Sequence, residues 1–118
     1  MPPTTTILIL ANVARDTSWD FAVTASDVPW HAPVNGAEGV PRFLAALVEN
    51  VAIEIFEPRR YIAADADVVV QVHFAFAVKK NGRRVEQDQL HWWTVRDGKV
   101  SKLRHFEDTA QVIAAWRS

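Results

Sequence analysis

Cysteine is absent from the 118 residues. That removes a disulfide framework, a zinc ribbon and thiol catalysis together, and it fits a reducing compartment without demanding one. An excess of positive charge is also missing, since 13 Lys and Arg stand against 14 Asp and Glu for a formal charge of −1. Recognition of a phosphate backbone needs a concentrated basic surface. The two local basic groups, Arg59-Arg60 and Lys79, Lys80, Arg83 and Arg84, read as solvated loop charge, so no nucleic-acid partner is expected. No run approaches the ~20 apolar residues of a membrane helix. Ile7 to Ala11 is apolar but short, and no Lys or Arg precedes it as in a secretory leader. A cytoplasmic protein without a membrane partner is expected.

Aromatic residues are abundant instead. Five Trp and six Phe, within a hydrophobic content of 49%, imply an aromatic core or cavity wall. The length accommodates a single domain, residues 1–118.

Along the chain, Ile7, Leu10, Val13 and Ala14 recur at helical spacing, with Thr4 to Thr6 as candidate caps. Asp16-Thr17-Ser18 would cap a second short helix over Trp19 to Ala25. Asp27 to Pro33 reads as extended, and Asn35-Gly36 as a turn. Val40, Phe43, Leu44, Leu47, Val48 and Val51 then form one apolar face of an amphipathic helix. From Ala52 the period changes. Ile53 to Ile62 reads as a strand interrupted at Pro58, and Val68 to Val78 as a long strand rich in β-branched and aromatic residues. Asn81-Gly82 is a hairpin signal leading into Val85 to Val95. Asp97-Gly98 leads into Val100 to Phe106, and Asp108-Thr109 caps a terminal helix carrying Val112, Ile113 and Trp116. Helices followed by antiparallel strands give an α+β fold with helices on one side of a curved sheet and a pocket at its open end.

These features resemble the SnoaL-like branch of the nuclear transport factor 2 and ketosteroid isomerase superfamily, from about Arg15 to Trp116. The resemblance is carried by Arg15-Asp16, Asp27-Val28-Pro29-Trp30 with Pro33, and Gly36, Glu38, Val40 and Phe43. Further on it rests on Asp67 to Val70, Gly82-Arg83, Arg96 to Val100, Phe106 and Asp108. It implies a cone-shaped sheet, one cavity, and commonly a homodimer through the convex sheet face, here carrying Leu90, Trp92, Ala75 and Phe56. It does not imply one reaction, because the fold hosts many.

Centring a hairpin on Asn81-Gly82 sets Val72 opposite His91 and Phe74 opposite Gln89. Alternation then places Gln87, Gln89, His91, Trp93 and Val95 on one face with Val70, Val72, Phe74 and Phe76. A bulged turn at Gly98 would add Ser101, Leu103 and His105 to that face, whereas a tight two-residue turn would add Val100, Lys102 and Arg104. The bulged form is preferred. Gln89, His91 and His105 are then the candidate catalytic residues, two acid/base imidazoles and a polariser. Trp30, His31, Val72, Phe74, Trp93 and Leu103 are the candidate ligand-binding residues.

Gln89-Leu90-His91 also resembles the Gln-x-His of SnoaL polyketide cyclases, but His105 stands near where those enzymes carry an aspartate. The carboxylate base and first-helix tyrosine of ketosteroid isomerases have no counterpart in His31-Ala32-Pro33-Val34 and Ile9. The Asp-Arg-Asp set of limonene epoxide hydrolases is missing too. Proton transfer of the isomerase, cyclase or dehydratase type on a small apolar molecule is expected, with no cofactor and no metal. The alternative is a binding or assembly module of the same fold, in which these histidines are structural.

Overall fold

A computed structural model describes residues 12–118 with the exception of Thr24, so the helix expected over Ile7 and Leu10 lies largely outside the described residues. Where its end and the second helix were expected, the chain forms strand β1, Val13–Phe21. The reason is visible in the side chains. Thr17, Trp19 and Phe21 are buried while the intervening Ser18 and Asp20 are not, a period of two that β-branched and aromatic residues favour. Thr17 does not cap a helix; its Oγ1 accepts a hydrogen bond from Trp19 Nε1 at 3.0 Å.

A 3-10 turn at Pro29–His31 replaces the middle of the expected extended segment and leads to β2, Val34–Asn35. Gly36 (φ 90°) turns the chain into α1, Val40–Asn50. That helix buries Val40 and Leu44, with Phe43 and Leu47 on the same face. It ends where Val51 enters β3, Val51–Ala64. The remaining elements are β4 (Asp67–Val78), β5 (Arg84–Arg96), β6 (Lys99–Phe106) and α2 (Thr109–Arg117). Asp108 caps α2 as expected, its side chain accepting from the Gln111 amide.

The six strands form one sheet in the order β2-β1-β6-β5-β4-β3. All pairings are antiparallel except β1 with β6, which is parallel. Among the described residues the architecture is α+β: a curved, unclosed sheet with two α-helices against it. β3 is an edge strand, which explains how Pro58 is tolerated there, and its register shifts at Pro58 to Arg60. An earlier shift, between Ile53 and Ile55, turns Phe56 toward Phe74 on the concave side rather than onto the convex face. The convex face does carry Leu90, 46% exposed.

Both hairpins that frame the concave face differ in detail from expectation. Between β4 and β5 the chain makes a loop from Lys79 to Arg83, because Asn81 Nδ2 donates to the carbonyls of Ala115 and Ser118 at the end of α2. Val70 therefore lies opposite His91 and Val72 opposite Gln89. The displacement is two residues, and an even shift leaves every side chain on its expected face. Between β5 and β6 the turn is the tight one, with Asp97 and Gly98 both at positive φ (53° and 74°). A bulge then follows, since Val95 pairs with Val100 but Thr94 with Lys102. Ser101 is the extra residue, its hydroxyl donating to the Thr94 carbonyl. The bulge returns Leu103 and His105 to the face of His91.

Candidate functional site

Between α1 and the concave face lies a cavity of about 570 Å³. Its walls come from Trp19 and Phe21 of β1, Phe43 and Leu47 of α1, Phe56 of β3, Phe74 and Phe76 of β4, and Trp93 and Leu103 of β5 and β6. Trp30 closes one side, edge-on to Phe76 at 6.0 Å between ring centroids. Gln89, His91, His105 and Glu107 gather at one end, and Asn12 is a further polar residue of the wall.

Of the residues singled out in the sequence, Gln89, His91, His105, Trp30, Phe74, Trp93 and Leu103 all line this cavity. Val72 and His31 do not. Val72, opposite Gln89, is fully buried within the core cluster. His31 is held behind the wall, its Nδ1 2.7 Å from Ser26 Oγ and its Nε2 3.4 Å from Glu107 Oε1. His73 lies on the convex side between Asp88 and Glu86, each 2.8 Å away, and these two hydrogen bonds raise its pKa.

His91 and His105 are directly paired across β5 and β6. Their Nε2 atoms reach the same acceptor, Gln89 Oε1, at 3.0 and 2.7 Å. The orientation of that amide follows from an unambiguous donor. The backbone N–H of Asp108 donates to Gln87 Oε1 at 3.1 Å, and Gln89 Nε2 donates to the same oxygen at 3.2 Å. Gln87 Nε2 in turn donates to Gln111 Oε1 at 2.7 Å. With its nitrogen engaged, Gln89 must present oxygen to the rings, so each histidine donates through Nε2–H and keeps Nδ1 as its basic atom. The polariser expected of Gln89 is thus replaced by a clamp that fixes the tautomer of both imidazoles.

Burial holds both rings neutral. It lowers the His91 pKa from 6.5 to about 4. His105 is lowered well below 6.5 by burial first, then by repulsion from His91 and His31. In an apolar setting the charged imidazolium loses its hydration without replacement.

Glu107 was not singled out in the sequence. Its side chain is 1% exposed, its Oε1 lies 4.0 Å from His105 Nδ1, and its Oε2 has no hydrogen-bond partner among the described residues. The signal was present, because Ser101, Leu103, His105 and Glu107 continue one alternation a step beyond the strand. Gln87 was expected on the face of Gln89 and His91, and Gln111 was not singled out; the role of both depends on where α2 docks.

Among solved structures, an NTF2-like protein from Burkholderia xenovorans is similar at 27% identity and TM-score 0.85, covering 95% of this chain and 83% of that one. An NTF2-like protein of unknown function from Burkholderia pseudomallei matches at 20% identity and TM-score 0.86, covering 98% and 87%. TerC, co-crystallised with polyporic acid, matches at 22% identity and TM-score 0.78 over the full length of both chains. No curated protein gives a significant match. The model of the SnoaL-like domain matches residues 9–103, and on that match, with the cone-shaped sheet and its cavity, the chain belongs to the SnoaL-like domain family.

Proposed function

We propose that this protein is a cytoplasmic acid/base enzyme that moves a proton on a small apolar molecule held in the cone cavity. The observation that carries this reading is the shared clamp: a buried imidazole, His91, and a partly buried one, His105, in a cavity wall, both tied through Nε2–H to Gln89 Oε1. A neutral ring of this tautomer takes a proton at Nδ1, and its hydrogen bond to Gln89 strengthens as the ring becomes charged. Repulsion between the rings allows only one proton into the pair. The imidazolium so formed is the acid and its neutral neighbour remains a base, so a proton taken at one carbon is delivered to another carbon in an isomerase, to a carbonyl oxygen in a cyclase or to a departing hydroxyl in a dehydratase. Burial makes each ring a weak base, and an enolate developing beside it supplies the counter-charge that restores its basicity. That TerC, of like fold, was co-crystallised with polyporic acid supports reading this cavity as a site for a small organic molecule.

Exchange of the α-protons of 2-tetralone in D2O, followed by NMR, tests the reading. The protein should accelerate exchange, and His91→Gln and His105→Gln should each reduce that acceleration by about 100-fold. Acceleration unaffected by either substitution would leave the passive binding module as the better description.

A further inference from the structure

The polar end of the cavity is rich in acceptors. The Nε2–H groups of His91 and His105 are both engaged by Gln89, which leaves each ring an Nδ1 lone pair. Beside them stands Glu107, a wall residue whose side chain is 1% exposed and whose Oε2 has no hydrogen-bond partner among the described residues. The other carboxyl oxygen, Oε1, is faced by His31 Nε2 at 3.4 Å and His105 Nδ1 at 4.0 Å. A buried carboxylate oxygen without a donor is costly, and such a group at a cavity wall is satisfied when a ligand brings the donor.

We propose that Glu107 anchors the ligand, its carboxylate accepting a hydrogen bond from a neutral hydroxyl on an otherwise apolar, ring-sized molecule. This rests on the reading of the cavity as the functional site and names its substrate class. The terminal torsion of a glutamate is broad, so the carboxyl turns toward the cavity without rebuilding the wall. A hydroxyl fits better than an ammonium group. Apart from Asn12 the rest of the wall is aromatic and aliphatic, and stripping water from a cation there costs far more than stripping it from an O–H. A hydroxyl bound at Glu107 also lies on the side of His105 Nδ1, the atom that the Gln89 clamp leaves basic.

Calorimetric titration with 2-naphthol and its near-isostere 2-methylnaphthalene reads the anchor without any turnover. Wild type should bind 2-naphthol about tenfold more tightly, the worth of one charge-assisted hydrogen bond. Glu107→Leu should bring the two ligands within about twofold of each other. Glu107→Gln, which keeps an uncharged acceptor and the original shape, should fall between them and covers the case in which the leucine variant fails to fold. A preference that survives in both variants, equal binding of the two ligands to wild type, or tighter binding of 2-naphthylmethylamine would overturn the anchor and leave the cavity as the site. Failure of folded wild type to bind any of the three would overturn the anchor together with the reading beneath it.

Discussion

His91 and His105 stand edge to face across β5 and β6, their ring centroids 4.3 Å apart at an interplanar angle of 89°, with one amide oxygen between their Nε2 atoms. At this separation the rings cannot titrate as independent groups. NMR titration of the four histidines should therefore show one pair whose transitions are linked. His91→Gln should move the midpoint of His105 upward, because the substitution removes a repelling charge, although burial continues to hold it below 6.5. An unchanged His105 titration in that variant would dissolve the dyad.

The same burial sets how stability depends on pH. His91 has a folded-state pKa of about 4 against 6.5 for the free side chain, so the unfolded chain binds more protons between those values. The stability this ring contributes is present above pH 6.5 and is lost as pH falls toward 4, by about 3 kcal/mol over that window. His105 adds in the same direction. His73, whose pKa is raised, has the opposite sign: its contribution is present below 6.5 and is lost as pH rises through its folded pKa. Urea unfolding between pH 7 and pH 4 should show the loss in wild type and in His73→Gln, and a smaller one in His91→Gln. A flat profile in wild type would contradict the neutral-histidine assignment.

Much of this fold was legible in the sequence, and the exceptions share a cause. The face of β5 survived a two-residue error in register, since parity depends only on an even shift. His105 reached the expected face by an unexpected route, because the local turn residues could not reveal a bulge at Ser101 stabilised by a contact with Thr94. β1 was misread as helix because Asp16-Thr17-Ser18 offers good caps, while its alternation of Thr17, Trp19 and Phe21 becomes decisive only when β6 lies alongside to pair with it. Phe56 crossed to the cavity through a bulge that the sequence does not mark.

The turn at Asp97-Gly98 gives a direct check on that hairpin. Gly98 has φ 74° and open space around its missing Cβ, so an alanine there meets backbone strain but no steric clash. Gly98→Ala should lower stability by about 1 kcal/mol. Insertion of the mutation without any change in melting would mean that the positive φ, and with it the tight turn that the bulge corrects, is absent in solution.

The convex face supplies a prediction about assembly. Leu90 is exposed there beside Trp92, at the centre of the sheet rather than at its rim, and an apolar patch in such a place commonly marks an interface. Sedimentation velocity at micromolar concentration should return a dimer, and Leu90→Lys should shift it to monomer without altering the histidine titrations. A monomer in wild type would remove this assignment.

The tautomers of the two imidazoles depend on a residue that touches neither. Gln87 accepts from the Asp108 backbone N–H and from Gln89 Nε2 through one oxygen, and this contact is what turns the Gln89 carbonyl toward the rings. In wild type, nitrogen chemical shifts of His91 and His105 should both report a proton on Nε2. Gln87→Leu removes the acceptor for Gln89 Nε2, so the amide can rotate and offer its NH2 to one of the rings. That ring must then present a lone pair at Nε2 and carry its proton on Nδ1. The nitrogen shifts of at least one histidine should move toward the Nδ1–H tautomer, with a matching loss of α-proton exchange on 2-tetralone while the variant still binds 2-methylnaphthalene. If both rings keep the Nε2 proton in Gln87→Leu, the clamp is set by the histidines themselves, and Gln87 is only a surface link between β5 and α2.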